Sequence, residues 1–186
     1  MTSWILVRHG ATDWNRDGRY QGQADPPLNA EGLAQAEALA SALASHPIQA
    51  LFSSDLQRAR GTAERIARRH GVAVLLDERL REINQGAWEG MLIGDILAAY
   101  PAEWRALMED PLHARAPGGG ESVTQIAARA MACLDDLAIR YPLGPVVIVS
   151  HGLTLACVLC EARGLPLEDA RRHIPPNAVP VELTWP

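Results

Sequence analysis

Two histidines hold matching positions in the sequence and could take part in chemistry. His9 follows the apolar run WILV and precedes Gly10, and His151 follows the apolar run VVIV and Ser150 and precedes a glycine of its own. If both runs are strands of a parallel sheet, the two imidazoles lie at its carboxyl edge, where open α/β sheets bind ligands. An imidazole there can act as a nucleophile, move a proton or serve only as a structural hydrogen-bonding group. The pair marks a candidate site without naming its reaction.

Three charged residues are expected near the same edge of the sheet. Arg8 adjoins the first histidine, and Glu82 falls in a loop after a predicted strand. Arg58 falls in the first turn of a predicted helix, where free backbone amides favour an anion. An alternative for Arg58 is that it forms a solvent-exposed stripe with Arg65 and Arg69. Considered alone, Arg58 fits that surface alternative better.

Six segments of the chain, in order and with matching spacing, resemble the histidine phosphatase superfamily and its phosphoglycerate mutase-like fold. They are ILVRHGATDWN, RYQGQADPPLNAEGLAQA, FSSDLQRARGTA, RLREINQGAWEG, GGGES and VVIVSHG. A single R-H-G would be weak support, whereas six segments spread over most of the chain are highly specific. The resemblance implies a phosphatase that acts through a phosphorylated histidine.

The same resemblance implies a role for each residue that matches the family pattern. His9 is the implied nucleophile, and Arg8, Arg58 and His151 form the implied phosphate pocket. Glu82 matches the acidic residue that protonates the leaving oxygen.

Further phosphate or substrate contacts are implied outside this catalytic set. Asn15 of the TDWN stretch matches a residue that contacts the phosphate, and Gln21 and Gly22 of the RYQG stretch match substrate-binding positions.

General chemistry favours the same roles. A phosphoryl group in transfer spreads negative charge over three oxygens, so its catalysis needs positioning and a cationic clamp. Two guanidiniums and an imidazolium would supply that clamp without a metal. A neutral imidazole can attack phosphorus and split one displacement into two, while a carboxyl group exchanges protons with the leaving group and with water.

Strand-like and helical patterns alternate along the chain. Apolar runs predict strands at 4–7, 48–52, 72–76 and 146–149, with an edge strand near 179–184. Apolar residues at helical spacing predict one helix after Asn29 as its N-cap and another that Ser53 or Ser54 caps and Gly71 ends. Further helices are predicted at 122–140 and after Gly152. The alternation predicts a single domain over 1–186 with a three-layer α/β/α sandwich and a mostly parallel sheet.

The segment at 84–120 departs from this alternation, with three prolines, a glycine triplet and short helical pieces near 93–100 and 102–108. It is either a lid-like excursion over the site or a plain surface connection. Directly after it, Glu121 and Ser122 follow the glycines and either cap the next helix or contact the substrate.

Composition narrows the class of function. The net charge is -5 and no basic block is present, so nucleic acid is not an expected partner. All 17 basic residues are arginine, which excludes Schiff-base chemistry and a P-loop lysine. No metal or other cofactor is expected, because H-x-H and H-E-x-x-H spacings are missing.

The sequence favours a cytoplasmic location. The N-terminus lacks a signal-peptide pattern, and no apolar run is long enough to span a membrane. The odd count of three cysteines fits a reducing compartment.

Cys157 and Cys160 form a C-x-x-C, but it lies in an apolar run with no second pair, so we expect buried helix thiols.

Three other functions are alternatives to a phosphatase. An inactive phospho-ligand-binding relative is disfavoured, since the nucleophile and the acid are both present. A metallohydrolase built on His9, Asp13 and His151 lacks a ligand spacing that supports it. A cofactor-dependent phosphoglycerate mutase is the nearest alternative, although the stretch 84–120 offers only Arg105 and Arg115 to hold a carboxylate. The expected partner is a small phosphorylated metabolite, and the sequence leaves both its identity and homo-oligomerisation open.

Overall fold

The computed structural model describes residues 2–185, which are built around one five-stranded sheet. The strands are β1 (Thr2–Arg8), β2 (Ala50–Ser53), β3 (Val74–Leu76), β4 (Val146–Ser150) and β5 (Pro180–Trp185). Their order across the sheet is β3-β2-β4-β1-β5. The first four strands run parallel, and β5 pairs antiparallel with β1 at one edge. The predicted, mostly parallel sheet with an edge strand is confirmed.

Within residues 2–185, seven α-helices connect and cover the strands. They are α1 (Asp13–Asp17), α2 (Ala30–Ala42), α3 (Gln57–His70), α4 (Ile93–Ala99), α5 (Pro101–Glu109), α6 (Val123–Arg140) and α7 (Gly152–Arg163). Three 3₁₀ helices cover Glu78–Leu80, Gly86–Trp88 and Leu167–His173. Within residues 2–185, no helix has both the length and the apolar character that a membrane span requires.

The central strands are buried on both faces of the sheet. In β1, Trp4 and Leu6 pack into one apolar cluster with residues of α6 and α7, whereas Ile5 and Val7 pack into a second cluster with α2 and α3. Successive side chains of a strand point to opposite faces, so one apolar run can serve both clusters. The result is the predicted three-layer α/β/α sandwich.

The predicted helix ends are partly correct. The side chain of Asn29 accepts a hydrogen bond from the backbone of Gly32 and caps α2, and Gly71 ends α3 in the left-handed conformation with a φ of 65°. The predicted cap of α3 is wrong, because Leu56 holds the N-cap position and its own side chain makes no capping hydrogen bond. The hydroxyl of Ser54 is needed elsewhere, where it pairs with His151.

Strand starts also differ from the prediction. The second and third strands begin at Ala50 and Val74, two residues later than predicted. Apolar side chains continue beyond the hydrogen-bonded ladder, since Ile48 and Val72 still pack against the core. The apolar runs in the sequence are therefore longer than the hydrogen-bonded strands.

The irregular segment at 84–120 forms a small apolar cluster of its own. Trp88, Ile96, Leu107 and Ala116 are buried together. The two short helices predicted here correspond to α4 and α5. Whether the segment moves as a lid stays a prediction.

Candidate active site

A cavity of about 280 Å³ opens at the carboxyl ends of β1 and β4. It gathers side chains and backbone from six separate parts of the chain, at 8–9, 15–22, 58, 82–85, 152–153 and 171–174. The predicted site residues in its wall are Arg8, His9, Asn15, Gln21, Gly22, Arg58 and Glu82. His151 is not in the cavity wall, although its ring centroid lies 5.1 Å from that of His9.

The imidazole of His9 is buried and held in one orientation. Its Nδ1 lies 2.7 Å from the carbonyl oxygen of Gly10, which can only accept, so Nδ1 carries the proton. Nε2 is then unprotonated, and it accepts a long hydrogen bond of 3.3 Å from Nε of Arg58. The nitrogen that bears the lone pair is thus the one placed beside a guanidinium.

The electrostatic environment keeps this ring neutral. Burial lowers the pKa of His9 well below 6.5, and the positive charges of Arg58 and Arg8 lower it further. The hydrogen bond to Gly10 opposes these effects without outweighing them. A neutral imidazole with a free electron pair on Nε2 is the form that can attack phosphorus.

Tight backbone packing fixes the loop that carries His9. A Cβ at Gly10 would collide with the carbonyl oxygen of Gly32 in the first turn of α2. The amide of Gly10 also donates to the hydroxyl of Thr62 on α3, at 3.0 Å. The absence of a side chain at Gly10 thus permits a close approach between the loop and α2.

Arg58 is fully buried, so the solvent-exposed alternative for this residue is wrong. Its Nη1 and Nη2 donate to the carbonyl oxygens of Ala24 and Gly22, both at 2.7 Å. Burial lowers the pKa of Arg58 to about 10, with nearby Glu82 acting in the opposite direction. The group stays protonated at neutral pH and provides a fixed positive charge in the cavity wall.

Arg8 supplies a second guanidinium at the end of β1. One of its Nη atoms donates to the carbonyl oxygen of Pro175 at 3.1 Å, and its Nε is buried without a protein partner among residues 2–185. Burial lowers the pKa of Arg8, while Glu82 raises it. A Cβ on Gly152 would approach this guanidinium at 3.4 Å, so the glycine lets Arg8 lie against the first turn of α7.

The carboxyl group of Glu82 lies at the N-terminus of α7. Its two oxygens accept from the backbone amides of Leu153 and Thr154 at 3.1 and 3.2 Å, and Oε1 also accepts from the Thr154 hydroxyl at 3.1 Å. Helix N-termini favour such acceptors, because their first amides lack intrahelical partners. The helix therefore fixes the carboxyl group in the cavity wall.

Asn15 and Gln21 present amide groups to the cavity. Thr12 and Asn15 form a capping box at the start of α1, in which the Asn15 side-chain oxygen accepts from the Thr12 backbone. The side-chain oxygen of Gln21 lies 3.0 Å from the Thr12 hydroxyl. With both oxygens occupied, the amide nitrogens remain available as donors to an anion.

His151 lies behind His9 and is completely buried. Its Nε2 pairs with the Ser54 hydroxyl at 2.8 Å, and its Nδ1 has no protein partner within the described part of the chain. Burial lowers the pKa of His151 well below 6.5, and Arg58 and His9 lower it further. The expected imidazolium is therefore a neutral ring in this structure.

The residues after the glycine triplet are structural. Ser122 caps α6 through a capping box with Gln125, and Glu121 forms an ion pair with Arg129 at 3.0 Å. Neither Glu121 nor Ser122 lines the cavity. Of the two alternatives, helix capping holds for Ser122, and Glu121 instead fixes Arg129.

None of the three cysteines lines the cavity. Cys133, Cys157 and Cys160 are free and buried in helices, as expected for Cys157 and Cys160. Across residues 2–185, no group of three His, Cys, Asp or Glu side chains converges in a way that could hold a metal ion.

The predicted site set lacks eight residues of the cavity wall. They are Arg19, Tyr20, Ile83, Gln85, Gly152, Leu153, Arg171 and Ile174. The last two come from or follow the 3₁₀ helix at 167–173, between prolines, where no helical or strand period marks an inward face. Of the segment at 84–120, only Gln85 reaches the cavity wall, and neither Arg105 nor Arg115 does.

A buried, neutral imidazole beside one buried and one partly buried guanidinium defines a site suited to phosphoryl transfer. The chain matches the family model of the histidine phosphatase superfamily (branch 1) over residues 4–186. It belongs to the histidine phosphatase superfamily.

Curated relatives include a phosphatase and a probable phosphoglycerate mutase. Phosphoserine phosphatase 1 of Hydrogenobacter thermophilus is 36% identical over 167 residues, which cover 90% of this chain and 79% of the relative. A Yersinia pestis protein named "Probable phosphoglycerate mutase GpmB" is 39% identical over 173 residues, which cover 92% and 80%.

Solved structures show the same fold. A mycobacterial glucosyl-3-phosphoglycerate phosphatase with VO3 superposes with a TM-score of 0.88 at 33% identity, covering 99% of this chain and 91% of its own. The α-ribazole phosphatase of Shigella flexneri gives a TM-score of 0.89 at 26% identity, covering 97% and 89%. The fold, the site and these relatives support the assignment of a phosphomonoester hydrolase.

The two neutral histidines predict a pH-dependent stability. Because the pKa values of His9 and His151 are depressed in the folded state, only the unfolded chain takes up protons on these rings as the pH falls below about 6.5. Stability is full above that pH and decreases below it, by up to about 1.4 kcal/mol per pH unit for each ring. Urea unfolding between about pH 7 and pH 5 measures this decrease. His9→Asn and His151→Asn should each reduce the dependence of the unfolding free energy on pH, whereas His113→Asn on the surface is the control. An unchanged pH dependence in both variants would contradict the assignment of two neutral, buried histidines.

Proposed function

We propose that the protein hydrolyses a small phosphomonoester in two steps through a phosphohistidine at Nε2 of His9. The observation that carries the proposal is the fixed lone pair on Nε2, which lies in the wall of a cavity that also contains Arg8 and Arg58. A nucleophile in its reactive protonation state and two cations for the phosphoryl oxygens are the main requirements of the reaction.

In the first step, Nε2 of His9 attacks phosphorus and the bond to the ester oxygen breaks. Glu82, in its protonated form, donates a proton to that oxygen and the alcohol leaves. The guanidiniums of Arg8 and Arg58 stabilise the charge on the equatorial oxygens, and the amide nitrogens of Asn15 and Gln21 add neutral donors. Gly22 contributes through its backbone, since its carbonyl oxygen fixes Arg58.

In the second step, water attacks the phosphohistidine. Glu82, now a carboxylate, takes a proton from the water, and the bond between phosphorus and Nε2 breaks to release inorganic phosphate. We assign His151 a supporting part, in which its fully buried, neutral ring lies behind His9, with 5.1 Å between the ring centroids, and helps to hold the nucleophile in position.

The proposed partner is a small phosphorylated metabolite. A cavity of about 280 Å³ is near the lower end of the usual range for ligand sites, roughly 300 to 1,000 Å³. The names of the relatives offer phosphoserine, glucosyl-3-phosphoglycerate and α-ribazole phosphate as candidate substrates to test. The net charge of -5 disfavours nucleic acid as a partner.

We also propose a cytoplasmic location. The support is indirect: three free, buried cysteines suit a reducing compartment. A homo-oligomer is compatible with the proposal, and the proposed reaction does not require one.

A phosphoglycerate mutase is the second candidate, favoured by the 39% identity to the Yersinia protein with that name. The two activities differ in the group that accepts the phosphoryl. We expect water to be that acceptor. When 3-phosphoglycerate is supplied with catalytic 2,3-bisphosphoglycerate, phosphate should appear faster than 2-phosphoglycerate. Isomerisation that outpaces phosphate release and requires the bisphosphate would establish the mutase instead.

Glu82→Gln tests the general acid. The amide cannot give up a proton in the same way, so turnover of an alkyl phosphate should fall by roughly 10² to 10⁴. The fall should be much smaller for p-nitrophenyl phosphate, whose leaving group needs no proton. Glu121→Gln, outside the cavity, is the matched control and should not show this dependence on the leaving group. Equal losses for both substrates in Glu82→Gln would assign the acid to another residue.

A further inference from the structure

Two arginines outside the proposed catalytic set line the same cavity. Arg19 follows α1, and Arg171 lies in the 3₁₀ helix Leu167–His173. Among residues 2–185, neither has a carboxylate oxygen within 4.0 Å. The cavity wall therefore holds more positive charge than the phosphoryl-transfer step uses.

Arg171 differs clearly from its sequence neighbour. Its Nε is buried and makes no hydrogen bond within the described chain. Arg172 instead forms an ion pair with Asp169 at 2.8 Å, and 80% of its side chain is exposed. A buried N–H without an acceptor is unfavourable, so a donor kept in this state at a cavity wall suits an acceptor that arrives with a ligand.

Arg19 is fixed in place by the segment beside the cavity. Its Nη1 donates to the carbonyl oxygen of Gly90 at 2.7 Å, and its backbone forms a β-bridge with Leu92. The neighbouring Tyr20 packs edge-on against the buried Trp88, with ring centroids 6.2 Å apart. Because only one donor of the guanidinium is used in this way, the others remain available to a ligand.

The charges in the cavity wall set the charge of a matching substrate. Arg8, Arg58, Arg19 and Arg171 carry four positive charges, and Glu82 is the acidic residue among the lining side chains. A phosphomonoester dianion balances two of the positive charges, and an ionised Glu82 balances a third. At least one positive charge is left, which a single carboxylate would neutralise.

We propose that Arg19 and Arg171 form a second anion subsite that binds a carboxylate of the substrate. The planar fork of a guanidinium matches a carboxylate with two parallel hydrogen bonds. The small cavity restricts the substrate to a short chain that carries both a phosphate ester and a carboxylate. The inference rests on the proposed function, because it concerns the rest of the molecule whose phosphate faces His9.

Two matched substrate pairs test the subsite with the whole protein. 3-Phosphoglycerate is compared with glycerol phosphate, in which a hydroxymethyl group replaces the carboxylate, and phosphoserine with phosphoethanolamine, which lacks it. We expect kcat/KM of the parent to favour the carboxylate member of at least one pair by roughly 10- to 100-fold, the usual strength of a charge-assisted contact. Raised ionic strength should reduce this preference.

The variants assign the preference to Arg171. Arg171→Gln should bring the ratio close to one, mainly through a higher KM for the carboxylate substrate, and Arg171→Lys should restore part of it. Arg172→Gln, the exposed neighbour, should keep the parental ratio. Circular dichroism checks that each variant is folded.

The possible outcomes separate this inference from the proposed function. Hydrolysis of every substrate without a carboxylate preference, or a preference that survives in Arg171→Gln, would overturn the subsite and leave the phosphatase intact. A protein that hydrolyses no phosphomonoester, p-nitrophenyl phosphate included, would overturn the proposed function itself.

Discussion

The guanidinium of Arg58 is completely buried, yet no carboxylate within residues 2–185 neutralises it at ion-pair distance. Two backbone carbonyl oxygens and the Nε2 of His9 surround it instead. Dipoles compensate a buried charge only in part, which is the physical reason for the lowered pKa of Arg58. An arriving phosphate supplies the missing negative charge, so the site favours an anion before any anion binds.

Burial is the main reason that both histidines are neutral, and the uncompensated charge of Arg58 adds to it. For His9, neutrality together with the hydrogen bond to Gly10 leaves the electron pair on Nε2. Rigid positioning completes the arrangement, because the loop after β1 contacts the backbone of α2 and donates a hydrogen bond to the Thr62 hydroxyl of α3. Electrostatics and packing thus hold His9 in one protonation state and one position.

Periodic patterns and motifs predicted much of the fold and the approximate site. The alternation of apolar runs identified the sheet and its two covering layers, and Asn29 and Gly71 marked helix ends correctly. Patterns could not predict the burial of Arg58, since a helical stripe of arginines reads as surface until the chain from Gly22 to Ala24 folds over it. They could not predict Arg171 either, because a short 3₁₀ helix has no period that separates an inward from an outward face. Such residues depend on contacts between distant segments.

The most direct test is the position of the phosphoryl group on the trapped intermediate. The protein is mixed with a rapidly cleaved phosphomonoester, quenched in alkali, digested and analysed by tandem mass spectrometry and ³¹P NMR, which distinguish the two phosphohistidine isomers. The tautomer fixed by Gly10 predicts phosphorylation of His9 at Nε2. Phosphate on Nδ1 of His9, on another residue, or on no residue while turnover proceeds would contradict the account.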